Sequence, residues 1–113
     1  MTERESKVQK SCMNIIRRYG GYVYKNAQST FTEKGRPDLC ACIPVSIDKL
    51  IELFGKDATV GVFVGIELKR EGHLAEVSEA QQIVGRKIQE AHGMWFAIDN
   101  PKLVEGLMIK FRG

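Results

Sequence analysis

Hydrophobic and polar positions alternate with two periods along this chain, and the periods divide it into elements. From Glu3 to Tyr19, Val8, Cys12, Ile15, Ile16 and Tyr19 recur at helical spacing, while Lys7, Lys10, Arg17 and Arg18 lie mostly off that stripe. Gly20-Gly21 ends this helix. Tyr22 to Asn26 is aromatic and β-branched and predicts a short strand, followed by a polar loop over residues 27–36. A second strand is expected from Pro37 to Ile43, with the proline confined to its start or to an edge. Ser46 to Phe54 predicts a short helix, capped by Ser46 and closed by Gly55.

Val60 to Lys69 is the strongest strand. Period-two alternation puts Val62, Val64, Ile66 and Leu68 on one face, expected to be the core, and Phe63, Gly65, Glu67 and Lys69 on the other, with open space above Gly65. Ser78 to His92 predicts a long helix whose sheet-facing side carries Gln81, Val84 and Ile88. Trp95 to Ile98 is a further strand with Trp95 in the core, and Pro101 to about Lys110 a terminal helix. The order αββ(α)βαβα predicts a mixed α/β fold: one small central sheet flanked by helices, with a parallel, right-handed βαβ step from Val60 to Ile98.

The chain has 113 residues, enough for a single domain over 1–113. Hydrophobic residues at 43% and charged residues at 27% are ordinary globular values and exclude a disordered chain. No apolar stretch is long enough to cross a bilayer, and the charged start Thr2-Glu3-Arg4-Glu5 does not read as a secretion signal. Cys12, Cys40 and Cys42 are an odd count without zinc-like spacing, so reduced, buried thiols in the cytoplasm are expected. Net charge is only +3, but residues 1–36 carry eight Lys/Arg against three Glu, a balance of +5, while the remainder stands at −2. A basic N-terminal third suits a polyanionic partner.

The chemistry concentrates in Gly35-Arg36-Pro37-Asp38, in Glu67-Leu68-Lys69 twenty-nine positions later, and in Gln81. Glu67 and Lys69 point the same way from the end of an apolar strand. If the strand that Asp38 begins pairs with it, the two carboxylates converge, and such a pair binds a hard cation such as Mg²⁺ or Mn²⁺. A cation there polarises a phosphate and acidifies water, and Lys69 offsets developing negative charge. Each part also has a plain structural role: Glu67-x-Lys69 as a surface ion pair, Asp38 as a turn residue, Ser78-x-x-Gln81 as a capping box. Lys25 can approach phosphate from the end of its strand. Tyr22, Tyr24 and Phe31 beside Lys25, Lys34 and Arg36 can stack bases and grip backbone, and His73 can contact DNA or assist proton transfer.

Together, G-R-P-D-L, a hydrophobic strand ending in E-L-K and an S-x-x-Q helix resemble the PD-(D/E)xK nuclease superfamily, most closely its VRR-NUC (virus-type replication-repair nuclease) family, over about Glu5 to Ile98. The resemblance implies a restriction-endonuclease-like core and a Mg²⁺- or Mn²⁺-dependent endodeoxyribonuclease. Asp38 and Glu67 match the metal carboxylates, and the Leu68 carbonyl a further metal ligand. Lys69 matches the catalytic lysine and Gln81 the glutamine of the following helix. Glu5 matches the first-helix acid, with Glu3 as its rival. Lys25, Lys34, Arg36, Arg70 and His73 are the candidate DNA contacts. The family resemblance further implies a phage-encoded protein acting in the host cytoplasm on branched DNA. A symmetric pair of cuts in a four-way (Holliday) junction calls for a homodimer, for which Ile47, Leu50, Ile51 and Phe54, or the apolar set from Leu103 to Ile109, supply surface. A flap- or single-strand-directed nuclease and a non-catalytic nucleic-acid-binding module are the alternatives.

Overall fold

Capping chemistry sets the helix boundaries in the computed structural model, which describes residues 2–113. Helix α1 (Glu3–Arg18) starts where the Thr2 hydroxyl accepts the Glu5 amide at 3.1 Å, and it carries acid in its first turn and Arg17 and Arg18 in its last, complementing the dipole. Strands β1 (Tyr22–Lys25) and β2 (Leu39–Cys42) follow, then α2 (Ile47–Phe54), capped by Ser46. Strand β3 (Val64–Leu68), a 3₁₀ turn at Leu74–Glu76, α3 (Glu79–Glu90), β4 (Met94–Ile98) and α4 (Pro101–Arg112) complete the order. Asn100 caps α4 and Pro101 opens it. The chain is mixed α/β, and among the described residues no helix is long and apolar enough to cross a membrane.

The strands do not join one central sheet. β1 pairs antiparallel with β2, from Tyr22 opposite Cys42 to Lys25 opposite Leu39, and β3 pairs parallel with β4, from Val64 opposite Met94 to Leu68 opposite Ile98. The parallel pairing across the βαβ step is as expected, whereas among the described residues β2 pairs with β1 and β3 with β4, in place of the β2–β3 pairing that would bring Asp38 beside Glu67. Both strands are shorter than their apolar runs. β2 spends its four residues on β1, and residues 60–63 stay outside the ladder except for the Phe63 carbonyl, which accepts the Met94 amide at 3.0 Å. The chain divides into two compact units. One runs to Gly61 and takes in Glu90–His92; the other comprises Val62–Gln89 and Gly93–Gly113.

In the first unit α1 packs on β1, but not with the expected stripe. Gln9, Met13 and Ile16 are its half-buried residues, whereas Val8 (62%), Cys12, Ile15 and Tyr19 are exposed. Residues i, i+4 and i+7 share a helical face in either register, so the pattern fixed the period of α1 and left its rotation to the sheet. Of the cysteines only Cys42 is buried, while Cys40 is half-buried. The Cys42 thiol donates to the Ala91 carbonyl at 3.5 Å, and Cys12, expected inside, lies at the surface.

In the second unit the faces of β3 are the reverse of those expected. Ile66 (42% exposed) and Leu68 (69%) are open, while Glu67 and Lys69 are half-buried. Two glycines cause this. A Cβ on Gly85 of α3 would lie 2.5 Å from the Trp95 ring, and one on Gly65 would meet Ile88 at 3.0 Å and Trp95 at 3.3 Å. Their bare backbones let α3 lie close over the Gly65 face through Gln81, Gly85 and Ile88. The space above Gly65 is therefore filled, and Trp95 is wedged half-buried beneath Gly85. Val84, expected on the inner face of α3, is exposed.

Candidate functional site

The close approach of α3 builds a candidate cluster in the second unit. Ser78 and Gln81 form a reciprocal cap: the Ser78 hydroxyl accepts the Gln81 amide at 3.1 Å, and the Gln81 side-chain oxygen accepts the Ser78 amide at 2.9 Å. That leaves the other end of the same carboxamide free to face β3, where Gln81 Nε2 donates to Glu67 Oε1 at 2.6 Å. The capping and sheet-facing roles of Gln81 thus coexist in one side chain. Lys69 Nζ stands 4.0 Å from the same oxygen, with side-chain exposures of 20% for Lys69 and 30% for Glu67. Glu67 Oε2 accepts no hydrogen bond among the described residues and is open to a further partner.

Beyond Lys69 the chain is pinned twice. The Lys69 amide donates to the Ile98 carbonyl at 2.9 Å, extending the parallel ladder past Leu68, and the Asp99 carboxylate accepts the Gly72 amide at 3.0 Å, closing the turn that follows. Arg70 is exposed in that turn. His73 is tied to Glu76, Nδ1 to Oε1 at 2.8 Å, rather than standing free.

A separate cluster lies in the first unit, where Asp38 precedes β2. It is held by a residue that sequence reasoning passed over. Asn26, one position beyond β1 and 8% exposed, is the buried polar side chain among the described residues. Its backbone amide donates to the Asp38 carbonyl at 2.9 Å. Its side-chain nitrogen donates to the Pro37 carbonyl at 2.8 Å and to Cys40 Sγ at 3.1 Å, and its oxygen accepts from Arg36 Nη2 at 3.0 Å. One buried amide therefore closes the ten-residue loop and fixes Arg36, Pro37 and Asp38 together. A buried polar group stays only when its bonds are made, and the bonds Asn26 makes go to this turn and to Cys40 in the strand that follows it. In sequence an asparagine at a strand end reads as a turn former, so no signal marked it.

Asp38 lines two cavities. One, of about 340 Å³, is shared with Glu5, Val8 and Cys12 of α1; the other, of about 410 Å³, with Gln9, Lys25 and Gln28. Glu5 faces this region while its Oε1 also accepts the Thr2 hydroxyl at 3.1 Å; its rival Glu3 pairs with Lys7 at 3.9 Å on the exposed surface. Lys25 reaches the Asp38 cavity from the end of β1, whereas Lys34 is exposed in the loop and Arg36 is engaged by Asn26. Tyr22 and Tyr24 stand with ring centroids 6.0 Å apart on β1, and Phe31 is fully exposed. Burial, with the neighbouring Cys40, pushes the Tyr24 hydroxyl above its ordinary pKa, and burial raises the Cys42 thiol.

The donors that the motif supplies are carboxylate and carbonyl oxygens, the type that suits Mg²⁺ or Mn²⁺ rather than a thiolate-seeking metal. In the first unit Asp38 and Glu5 line one cavity, and in the second unit Glu67 presents a free oxygen; the donor chemistry of each suits a hard cation. Among the described residues no group of three or more His, Cys, Asp or Glu side chains is gathered into a metal cage. No protein-family model matches the chain, and neither a curated protein nor a solved structure does.

Proposed function

We propose that this chain is a Mg²⁺- or Mn²⁺-dependent endodeoxyribonuclease with a restriction-endonuclease-like core, acting in the cytoplasm as a homodimer on branched DNA, above all four-way junctions. The observation that carries this reading is the Gln81–Glu67–Lys69 cluster. A carboxylate is oriented by a 2.6 Å bond from a rigid helix cap, with an ammonium 4.0 Å from the same oxygen, in a half-buried setting at a strand end. A surface ion pair needs no such support.

In this reading Asp38 and Glu67 hold the cation, with the Leu68 carbonyl as a further oxygen. A cation held by these oxygens would supply Lewis-acid chemistry, polarising the scissile phosphate and acidifying a water. Hydrolysis adds the water oxygen to phosphorus and breaks the bond to one bridging ester oxygen, which leaves as the alcohol after taking up a proton. Lys69 meets the negative charge that builds on the phosphate. Gln81 keeps Glu67 turned toward its task, and Asn26 does the same for Asp38 through the backbone of the turn. Lys25, Lys34, Arg36, Arg70 and His73 are the proposed contacts to DNA.

The test is cleavage of labelled linear duplex, flap, fork and four-way-junction DNA with Mg²⁺, Mn²⁺ or EDTA. Junction cutting that EDTA stops is expected. A preference for flaps would favour the flap nuclease, and binding without cutting the non-catalytic module. Lys69→Ala should abolish cleavage with fold and metal affinity kept, whereas Asp38→Ala and Glu67→Ala should lose both cleavage and metal, read by calorimetry. A Lys69→Ala protein cutting at the parent rate would remove Lys69 from the mechanism.

A further inference from the structure

The half-buried face of α1 consists of Gln9, Met13 and Ile16, at i, i+4 and i+7. Met13 and Ile16 are what a helix places against a sheet. Gln9 is not. Its carboxamide keeps access to solvent through the cavities it borders, and among the described residues it makes no hydrogen bond to the protein, so its donors are open to a ligand. A polar side chain on the sheet-facing side of a helix, with open donors at the mouth of a cavity, is where a ligand is to be sought.

The surroundings identify the ligand's chemistry. Gln9 belongs to both cavities that Asp38 lines, and in the larger one it stands with Lys25, Gln28 and Asp38. One ammonium and two carboxamides are a donor set for a singly charged group bearing several acceptor oxygens, which describes a DNA phosphodiester. We propose that Gln9 is a DNA-contacting residue. Its carboxamide donates to a non-bridging oxygen of the phosphodiester that Lys25 pairs with, next to Asp38. This rests on the nuclease reading and adds to it a backbone subsite on α1. The carboxamide is uncharged, so it contributes a hydrogen bond without releasing a counterion, whereas Lys25 contributes both.

The experiment uses the full chain carrying Lys69→Ala, so that DNA is bound and not consumed. Affinity for labelled A·T-rich and G·C-rich duplexes is measured from 50 to 200 mM salt, with thermal melting of each protein, for the parent, Gln9→Leu, Gln9→Glu and Lys25→Ala. Gln9→Leu is expected to weaken binding about tenfold, the loss of one good hydrogen bond. The loss should be equal on both duplexes, with an unchanged salt slope and a melting point at or above the parent's. Gln9→Glu, which keeps the shape and adds a negative charge, should weaken binding further. Lys25→Ala should make the salt slope shallower by about one. Parent affinity in Gln9→Leu, a loss confined to one duplex, or a loss that tracks a lowered melting point would each overturn the proposal while leaving the nuclease reading standing. A parent protein that binds no DNA would overturn both.

Discussion

Gln81 joins two demands in one side chain, and its removal should separate them. Its oxygen satisfies the first turn of α3 and its nitrogen orients Glu67. Gln81→Ala should therefore cost about 1 kcal/mol in urea unfolding, the usual value of a lost cap. It should also cost 10- to 100-fold in cleavage, the usual effect of removing a partner that orients a metal ligand. A variant that loses the stability but cuts at the parent rate would reduce Gln81 to a cap. The residues of this cluster were legible in the sequence because capping and strand alternation are local rules, and Ser78-x-x-Gln81 and Glu67-x-Lys69 each satisfy one. Asn26 and Gln9 were not. Asn26 acts on Arg36, Pro37 and Cys40 across a loop, and Gln9 carries meaning only once the rotation of α1 is known.

At the scale of elements, the kinds and order of helices and strands followed from periodicity, as did the parallel pairing of β3 with β4. The orientation of faces did not. Alternation on β3 separated apolar Ile66 and Leu68 from Glu67 and Lys69, and volume then decided which side α3 covers. Gly65 and Gly85 offer the closest approach, so α3 lies on the side bearing the charges. Gly85→Ala should show this directly. Its Cβ would fall 2.5 Å from the Trp95 ring, so α3 must lift. The overpacking should cost about 1–3 kcal/mol despite the better helix propensity of alanine. Cleavage should fall with it, because the 2.6 Å bond from Gln81 to Glu67 depends on the same approach. A Gly85→Ala protein that melts above the parent and cuts normally would contradict this account.

The β1–β2 sheet makes a second prediction at this scale. Burial raises Cys42 from its ordinary 9.0, and burial with Cys40 raises Tyr24 from its ordinary 10.0. Both groups are held protonated in the fold more firmly than in the unfolded chain. Their contribution is complete below pH 9 and is lost as pH climbs through the unfolded and then the folded values. Stability followed by denaturant titration should be level below pH 9 and decline above it, and Tyr24→Phe should make the decline shallower above pH 10. A curve for Tyr24→Phe that coincides with the parent's over that range would dismiss Tyr24 as a contributor.

At the scale of the whole chain, two features of the surface go beyond what a lone domain of 113 residues needs. The N-terminal 36 residues hold a balance of +5, matching the placement of Lys25 and Gln9 beside Asp38. The apolar surface is large: Ile47 (75% exposed), Leu53 and Phe54 on α2, and Leu103, Ile109 and Phe111 on α4. Exposed apolar side chains gathered on one helix mark an interaction face, and a two-fold pair is the commonest way for small chains to cover one. In the proposed function, two sites related by a two-fold axis would match a four-way junction, whose resolution takes two opposed cuts. α2 is the better test of the two helices. It is held by its own Ser46 cap and a Lys49–Glu52 pair at 3.2 Å, so a charge on its outer side should leave it folded. Light scattering of the parent at micromolar concentration should give twice the chain mass of 12.7 kDa. Ile47→Glu with Phe54→Glu should give the single mass with unchanged circular dichroism. On a four-way junction the monomeric variant should nick one strand where the parent cuts a pair, since each copy keeps its own Glu67, Lys69 and Gln81. A parent that scatters as a monomer while still making paired cuts would separate junction resolution from dimerisation and refute this assembly.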